Sequence, residues 1–286
     1  MGGFITGRSL SGSVAVGGGG GKAAVGGYMI GGGLDFAVTD NFIIGGSMAI
    51  AQTTTRPQSA GTMLRSNFTQ GGMYARYDSA DNVFVTGYFA IDSESVRLNR
   101  TVVTGATTFN LTGATQGASP SFGLTVGKAF AVKTDDTENP LVVIPSIGIQ
   151  YQHSGLDAFT ETGGAAAMTF SKFSNDAPSG EIGLDLKKIV DLTGVRLLPS
   201  LHLGWVNALG SGNGTVQAAF AAIPTALMTF SDASRTQSYG EIGIGTGIDL
   251  SETLGSPSSL SVRYNGTFGR QDVSYSSWMG ELKIAF

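Results

Sequence analysis

The amino-acid sequence predicts an all-β chain, a transmembrane antiparallel β-barrel of about twelve strands. Three observations lead to that expectation. Apolar residues alternate with small or polar ones along most of the chain. Only 13% of residues are charged, against roughly 25% in an average soluble domain. The last strand, Tyr275 to Phe286, ends the chain on an aromatic residue. Successive side chains of a strand point to opposite faces, so these patterns describe a wall that is greasy on one side and polar on the other. Closed on itself in a bilayer, such a wall meets lipid outside and water inside.

Composition supports the same class. The 286 residues include 44 glycines, 8 prolines and no cysteine, without the Gly-X-Y period of collagen. The hydrophobic fraction is 41%, spread so evenly that no apolar run approaches the ~18 residues of a membrane helix. A barrel disperses its membrane signal in this way, because lipid-facing and lumen-facing residues are neighbours. A net charge of −4 and the lack of any Lys/Arg-rich run exclude a nucleic-acid surface. Without cysteine there are no disulfides, thiolate metal sites or cysteine nucleophiles. The start, Met1 to Arg8, has no basic segment followed by an apolar core, so it is not a signal peptide. The chain is therefore expected to be a processed or excised C-terminal domain, with residues 1–286 forming one unit.

The strands follow in order. After a first strand near 3–10, the segment 25–38 places Tyr28, Ile30, Gly32, Leu34, Phe36 and Val38 on one face, with Met29, Gly31, Gly33, Asp35 and Ala37 opposite. Asx side chains in Thr39-Asp40-Asn41 can close a turn locally, and 41–54 then sets Phe42, Ile44, Gly46, Met48 and Ile50 on the apolar face. Strands are expected near 64–77 and 82–97, where the segments 68–77 and 83–92 have an outer face that the pattern does not choose. In 117–132, Phe122, Leu124, Val126, Phe130 and Val132 alternate with small residues; in 141–155, Ile147, Ile149 and Tyr151 alternate with Gly148, Gln150 and Gln152. Further strands are expected at 168–187, 195–209 and 226–250, the last with Ile242, Ile244, Ile248 and Leu250 opposite Glu241, Gly243, Gly245, Gly247 and Asp249. Strands at 259–269 and 275–286 complete the set. Their lengths reach the ~9–11 residues of a tilted span, and the number is even, as in bacterial single-chain barrels.

The connections alternate in character. Those at 39–41, 78–82, 133–140, 188–194 and 251–257 are short and acidic or Asx-rich, whereas 11–24, 55–63, 98–116, 156–167 and 210–225 are longer and rich in Gly, Ala, Ser and Thr. Outer-membrane barrels have short periplasmic turns and longer external loops, which would place both termini in the periplasm. Two short repeats share one offset: Met168-Thr-Phe-Ser171 recurs as Met228-Thr-Phe-Ser231, and Gly180-Glu-Ile-Gly183 as Gly240-Glu-Ile-Gly243. Duplication of a hairpin unit and convergent hairpin composition account for them equally well.

In order and spacing, several segments resemble the C-terminal translocator domain of autotransporters, the type V secretion proteins. They are Gly31-Gly-Gly-Leu-Asp35 leading through Thr39-Asp-Asn41 into Ile43-Ile-Gly-Gly46, Leu198-Pro-Ser-Leu-His-Leu-Gly-Trp205, Gly240-Glu-Ile-Gly243, and Leu260-Ser-Val-Arg-Tyr-Asn-Gly-Thr-Phe268. The resemblance covers nearly the whole chain. It implies a barrel in the bacterial outer membrane that anchors an N-terminal passenger and helps export it to the cell surface. It also implies that Trp278, Leu282, Ile284 and Phe286 form a C-terminal signal read by the barrel-assembly machinery. In that family a helix precedes the barrel and plugs its pore; residues 1–24 are too Gly-rich for it, so linker helix and passenger are expected before Met1. A stand-alone small outer-membrane porin or uptake channel is the alternative, and a soluble Gly-rich adhesin region a third reading.

With the apolar faces turned to lipid, Asp35, Glu181, Asp185, Glu241, Asp249, Arg263, Glu281 and Lys283 are expected to face the lumen. They would either contact a linker or passing polypeptide or simply line a water-filled pore with paired charges. Glu281 and Lys283 share a face, and Arg263 on the preceding strand is a candidate cross-strand partner. A twelve-stranded interior should admit roughly one helix or an extended chain. Trp205, Trp278, Tyr28, Tyr151, Tyr264 and Phe286 are candidates for aromatic girdles at the membrane interfaces. Catalysis is not expected. His153 and His202 are the two histidines, no nucleophile motif accompanies either, and Ser154 beside His153 must face the other way. Gly17 to Lys22 resembles a phosphate loop, but Val16 stands for its first Gly and Ala23 for its Ser/Thr. No enzyme activity, cofactor or metal is therefore expected, and the partners are lipid, the assembly machinery and the chain's own passenger, around a monomeric barrel.

Overall fold

In the computed structural model, residues 1–15, 21–57, 61–132, 139–192, 195–210, 215–231, 238–270 and 273–285 are described. Twelve strands make the wall: β1 (Gly2–Ala15), β2 (Lys22–Thr39), β3 (Phe42–Pro57), β4 (Thr62–Asp78), β5 (Val83–Thr104), β6 (Thr107–Lys128), β7 (Leu141–Leu156), β8 (Phe173–Lys187), β9 (Ser200–Ala208), β10 (Ser238–Asp249), β11 (Ser258–Phe268) and β12 (Val273–Ala285). Each pairs antiparallel with the next, and β12 pairs with β1 from Gly2 opposite Ala285 to Val14 opposite Val273. Among the described residues, closure leaves the twelve-stranded wall without an open edge, as a bilayer requires because nothing in hydrocarbon can satisfy an open row of backbone donors and acceptors. Both termini lie at one end, here the terminal end; the opposite end is the loop end.

Directly opposed residues of an antiparallel pair share a face, so one row can be followed around the wall. Ile248 opposes Leu260, Leu260 opposes Leu282, Leu282 opposes Ile5, Ile5 opposes Gly32, and Gly32 opposes Met48. Ile5 and Met48 are 63% and 70% exposed. In a soluble sheet that would be a liability; on a barrel it is the lipid face. Tyr28, Ile30, Ile44, Phe122, Ile147, Ile149, Ile182, Trp205, Ile244 and Trp278 are exposed on the same outer surface.

On the inner face, large aromatic rings lie over glycines of the neighbouring strand. A Cβ on Gly123 would sit 2.4 Å from Tyr88 Cε1, and one on Gly45 would sit 2.2 Å from Tyr74 Cζ. These close approaches are what the glycines permit, and the ring restores the contact area that a glycine lacks.

Besides β1 running on to Ala15 and β2 starting at Lys22 inside the expected loop 11–24, strand extents differ most from the sequence expectation in three places. Residues 98–116 are not a long loop: β5 and β6 run on as 22-residue strands to a turn at Gly105, whose φ of 58° suits glycine. Their Thr- and Val-rich ends favour extended backbone, and a polar ribbon can pair without an apolar face to announce it. Second, 168–187 and 226–250 are not single wall strands. Their first parts leave the wall and join parts of 156–167 and 210–225 in a separate loop-end sheet, of Phe159–Thr160, Met168–Phe170, Thr215–Phe220 and Ile223–Ser231. The separation is driven by a small core of its own: Leu111, Ala167, Met168, Ala218 and Ala219 are buried, and Phe159 stacks on Phe170 at 4.7 Å. Arg100 on β5 ties this sheet down, with Nε and Nη2 donating to Glu161 at 3.0 and 2.6 Å. Third, Val195–Leu197 pairs with Val190–Leu192 in a terminal-end hairpin instead of extending β9. There Arg196 Nε and Asn139 Nδ2 donate to the Asp191 carboxylate and hold it below the usual carboxylate range.

The lumen wall as candidate functional site

Among the described residues, two cavities of the interior bear on function. One, of about 900 Å³, lies toward the loop end and is lined by polar and aromatic side chains including Arg8, Gln70, Tyr88, Asp92, Gln150 and Tyr239. The other, of about 620 Å³, lies toward the terminal end and is lined by Lys187, Ser200, Gly247, Arg263, Glu281 and Lys283 among others. β8, β9 and β10 reach the first cavity at Ser179, Val206 and Tyr239 and the second at Lys187, Ser200 and Gly247. The residues between those positions lie at a level between the two cavities.

At that level four titratable side chains converge. Glu181 and Asp185 come from β8, His202 from β9 and Glu241 from β10. Register explains the convergence: His202 opposes Asp185 on one side and Gly243 on the other, while Glu241 opposes Gly204. His202 Nδ1 lies 3.1 Å from Asp185 Oδ1, and its Nε2 lies 3.8 Å from Glu181 Oε1. Gly183, Gly204 and Gly243 keep the wall flat around the ring; a Cβ on Gly204 would stand 3.1 Å from His202 Nε2.

The other residues singled out from sequence are distributed as follows. Arg263 lines the terminal-end cavity and is within electrostatic reach of Asp185 and His202. Glu281 binds Lys283 at 3.2 Å; Arg263 opposes Met279 while Glu281 opposes Ser261, so Arg263 and Glu281 are diagonal and form no ion pair among the described residues. Asp249 sits at the terminal-end rim. It accepts hydrogen bonds from the Ser251 amide and hydroxyl and stands 3.7 Å from Arg196, fastening the single helical turn Ser251–Leu254. Asp35, on β2 opposite Gly2 and Gly45, has a buried Oδ1 without a hydrogen-bond partner.

On the terminal strand, Trp278 is exposed and packs at 5.1 Å against Tyr264. Leu282 opposes Ile5 and Leu260 on the lipid face. Ile284 joins Leu282, Phe36 and Met48 around an apolar depression. Phe286 lies outside the described residues.

His202, weighed from sequence only as a candidate catalytic base, and Arg8, not singled out at all, carry parts of the lumen. Alternation held the signal for His202, because Leu201, Leu203 and Trp205 on the outside put His202 inside. Arg8, on the otherwise unremarked first strand, is stacked over the Tyr275 ring at 5.2 Å. His153 sits near the loop end, where its Nδ1 is 2.8 Å from Asp176.

A family model described as the autotransporter beta-domain matches residues 3–265. No curated protein is detectably similar in sequence. Among solved structures, the translocator domain of the autotransporter NalP from Neisseria meningitidis superimposes with a TM-score of 0.76 at 16% identity, covering 100% of this chain and 88% of that one. The beta domain of the Bordetella autotransporter BrkA gives 0.67 at 15% identity, covering 100% and 99%. The transport unit of AIDA-I from Escherichia coli gives 0.66 at 12% identity, covering 99% and 90%. These likenesses are of fold, and the family match extends across the wall strands into β11. The chain belongs to the autotransporter β-domain family, the outer-membrane translocator barrels of type V secretion.

Proposed function

We propose that this barrel anchors an N-terminal passenger in the outer membrane and guides it to the cell surface through the lumen. In this reading both termini face the periplasm, the loop-end sheet faces outward, and the C-terminal sequence presents Trp278, Leu282, Ile284 and Phe286 to the barrel-assembly machinery. Asp35, Glu181, Asp185, Glu241, Arg263, Glu281 and Lys283 then form a hydrated, charged lining along which a linker segment runs. The observation that carries the proposal is the lumen itself: a closed twelve-stranded wall around a polar cavity of about 900 Å³, in a chain of the autotransporter family. A wall of this strand number leaves room for roughly one helix or an extended segment.

The test is a fusion of an epitope-tagged passenger upstream of Gly2, expressed with a secretion signal in a Gram-negative host. Protease added to intact cells should remove the tag while leaving the barrel in the membrane. A correctly inserted barrel whose tag stays periplasmic, together with steady ion conductance in a planar bilayer, would replace this reading with that of a porin.

A further inference from the structure

We propose that Glu181, His202 and Glu241 form a binding site on the lumen wall for one divalent cation of the zinc class. One ligand atom from each of these residues lies within 4.8 Å of the others. Zinc bonds to imidazole nitrogen and carboxylate oxygen are about 2.0–2.2 Å long, which in tetrahedral geometry separates the ligand atoms by roughly 3.5 Å. Small rotations of the two glutamates close the difference. The donor set of one imidazole and two carboxylates suits zinc and its neighbours among the divalent transition metals, and a lumen-facing fourth position remains for water or another ligand.

The histidine is held for this role. In the neutral tautomer whose Nδ1–H donates to Asp185 Oδ1, 3.1 Å away, His202 would offer Nε2 to a metal on the side of Glu181. Metal-binding histidines are oriented in the same manner by a carboxylate on the far nitrogen. Gly204 supplies the space: a side chain there would begin 3.1 Å from His202 Nε2, 3.4 Å from Glu241 Cβ and 3.5 Å from Glu181 Oε1, in the middle of the three ligands.

Charge points the same way. Among the described residues no lysine or arginine forms an ion pair with Glu181 or Glu241. Arg8 acts on Glu241, and Arg263 on Asp185 and His202, from longer range. Among the described residues the two carboxylates therefore have no close Lys or Arg, and the ionisable partner beside them is the His202 imidazole.

The arrangement also explains the sequence repeat. Gly180-Glu-Ile-Gly183 lies on β8 and Gly240-Glu-Ile-Gly243 on β10, and these strands flank β9. The two copies deliver one glutamate each to the histidine on the strand between them. A bound ion would tie three wall strands together at a level between the two cavities, with a coordination position open to whatever occupies the lumen.

The test uses the purified full chain in detergent, stripped with a chelator, then titrated with Zn²⁺ by calorimetry and with Co²⁺ by visible absorption. One ion per chain is expected, with a Co²⁺ absorption band of low-symmetry N/O coordination. Glu241→Gln and His202→Gln should each weaken binding at least tenfold, and Asp185→Asn by about 10–100-fold, the usual effect of losing an outer-shell partner. Asp35→Asn, elsewhere on the wall, should leave binding unchanged. Each variant is checked for a folded barrel by its faster migration before boiling in a denaturing gel; where His202→Gln fails that check, the isosteric Glu241→Gln decides. Failure of the folded wild-type chain to take up stoichiometric Zn²⁺ overturns the proposal. So does uptake that Glu241→Gln and Asp185→Asn leave unchanged, which would mark diffuse binding to surface carboxylates.

Discussion

Single positions on this wall differ in kind according to the face they occupy. Ile244 is 56% exposed and, on the present account, faces hydrocarbon. Ile244→Arg should destabilise the barrel by about 2–4 kcal/mol when placed near mid-bilayer, read from urea unfolding in lipid vesicles. Gly123 faces the lumen beneath Tyr88, and Gly123→Val should cost about 1–3 kcal/mol, because the ring must leave its place for the added methyls. A Cβ on Gly71 would meet nothing within 4 Å, so Gly71→Ala in the same assay should be nearly silent. Period-two alternation made the face of Ile244 legible from sequence. The meeting of Glu181, His202 and Glu241 was not legible, since it depends on the exact register of three neighbouring strands, which alternation alone does not fix.

Strands and their connections obey a different logic. Most of the twelve wall strands were legible from an apolar outer face, with β4 and β5 read as strands of undecided face, whereas the loop-end sheet was not legible. Met168–Phe170 and Ile223–Ser231 alternate as wall strands do, and only the tertiary pairing of both with Thr215–Phe220 separates them from the barrel. Likewise 98–116 looked like a loop because polar Thr-rich ribbons lack the periodic apolar signal, yet backbone pairing continues through them. The loop-end sheet depends on Arg100 and Glu161, whose side chains are 24% and 0% exposed. Arg100→Met should leave a buried carboxylate uncompensated, costing about 3–5 kcal/mol. The loss should be confined to this sheet: limited proteolysis should cut within 159–170 sooner while the barrel stays folded. Adding Glu161→Met should recover much of the protection, because a buried apolar pair carries no stranded charge.

Across the whole molecule, closure is the feature on which stability and function both depend. β12 is held on one side by β11 and on the other by β1, so it completes the cylinder last in sequence and joins the two ends of the chain. Ile284→Asp puts a charge on its outer surface and should reduce outer-membrane insertion, measured as the folded fraction in membrane extracts; normal insertion would show that the terminal strand has no special part in assembly. The lumen, in turn, exists only because the wall is closed, and its polar lining is the other half of the same alternation that makes the exterior apolar.

That alternation can be measured directly, because the chain contains no cysteine and single-cysteine variants are free of background. Cysteines placed one at a time from Glu241 to Ile248 on β10, in barrels reconstituted into lipid vesicles, would be treated with a membrane-impermeant maleimide. Positions 241, 243, 245 and 247 should react and positions 242, 244, 246 and 248 should be protected, with the opposite order for a lipid-soluble reagent. Uniform reactivity along the strand, or protection of the odd positions, would contradict a lipid-bathed cylinder with a wet interior.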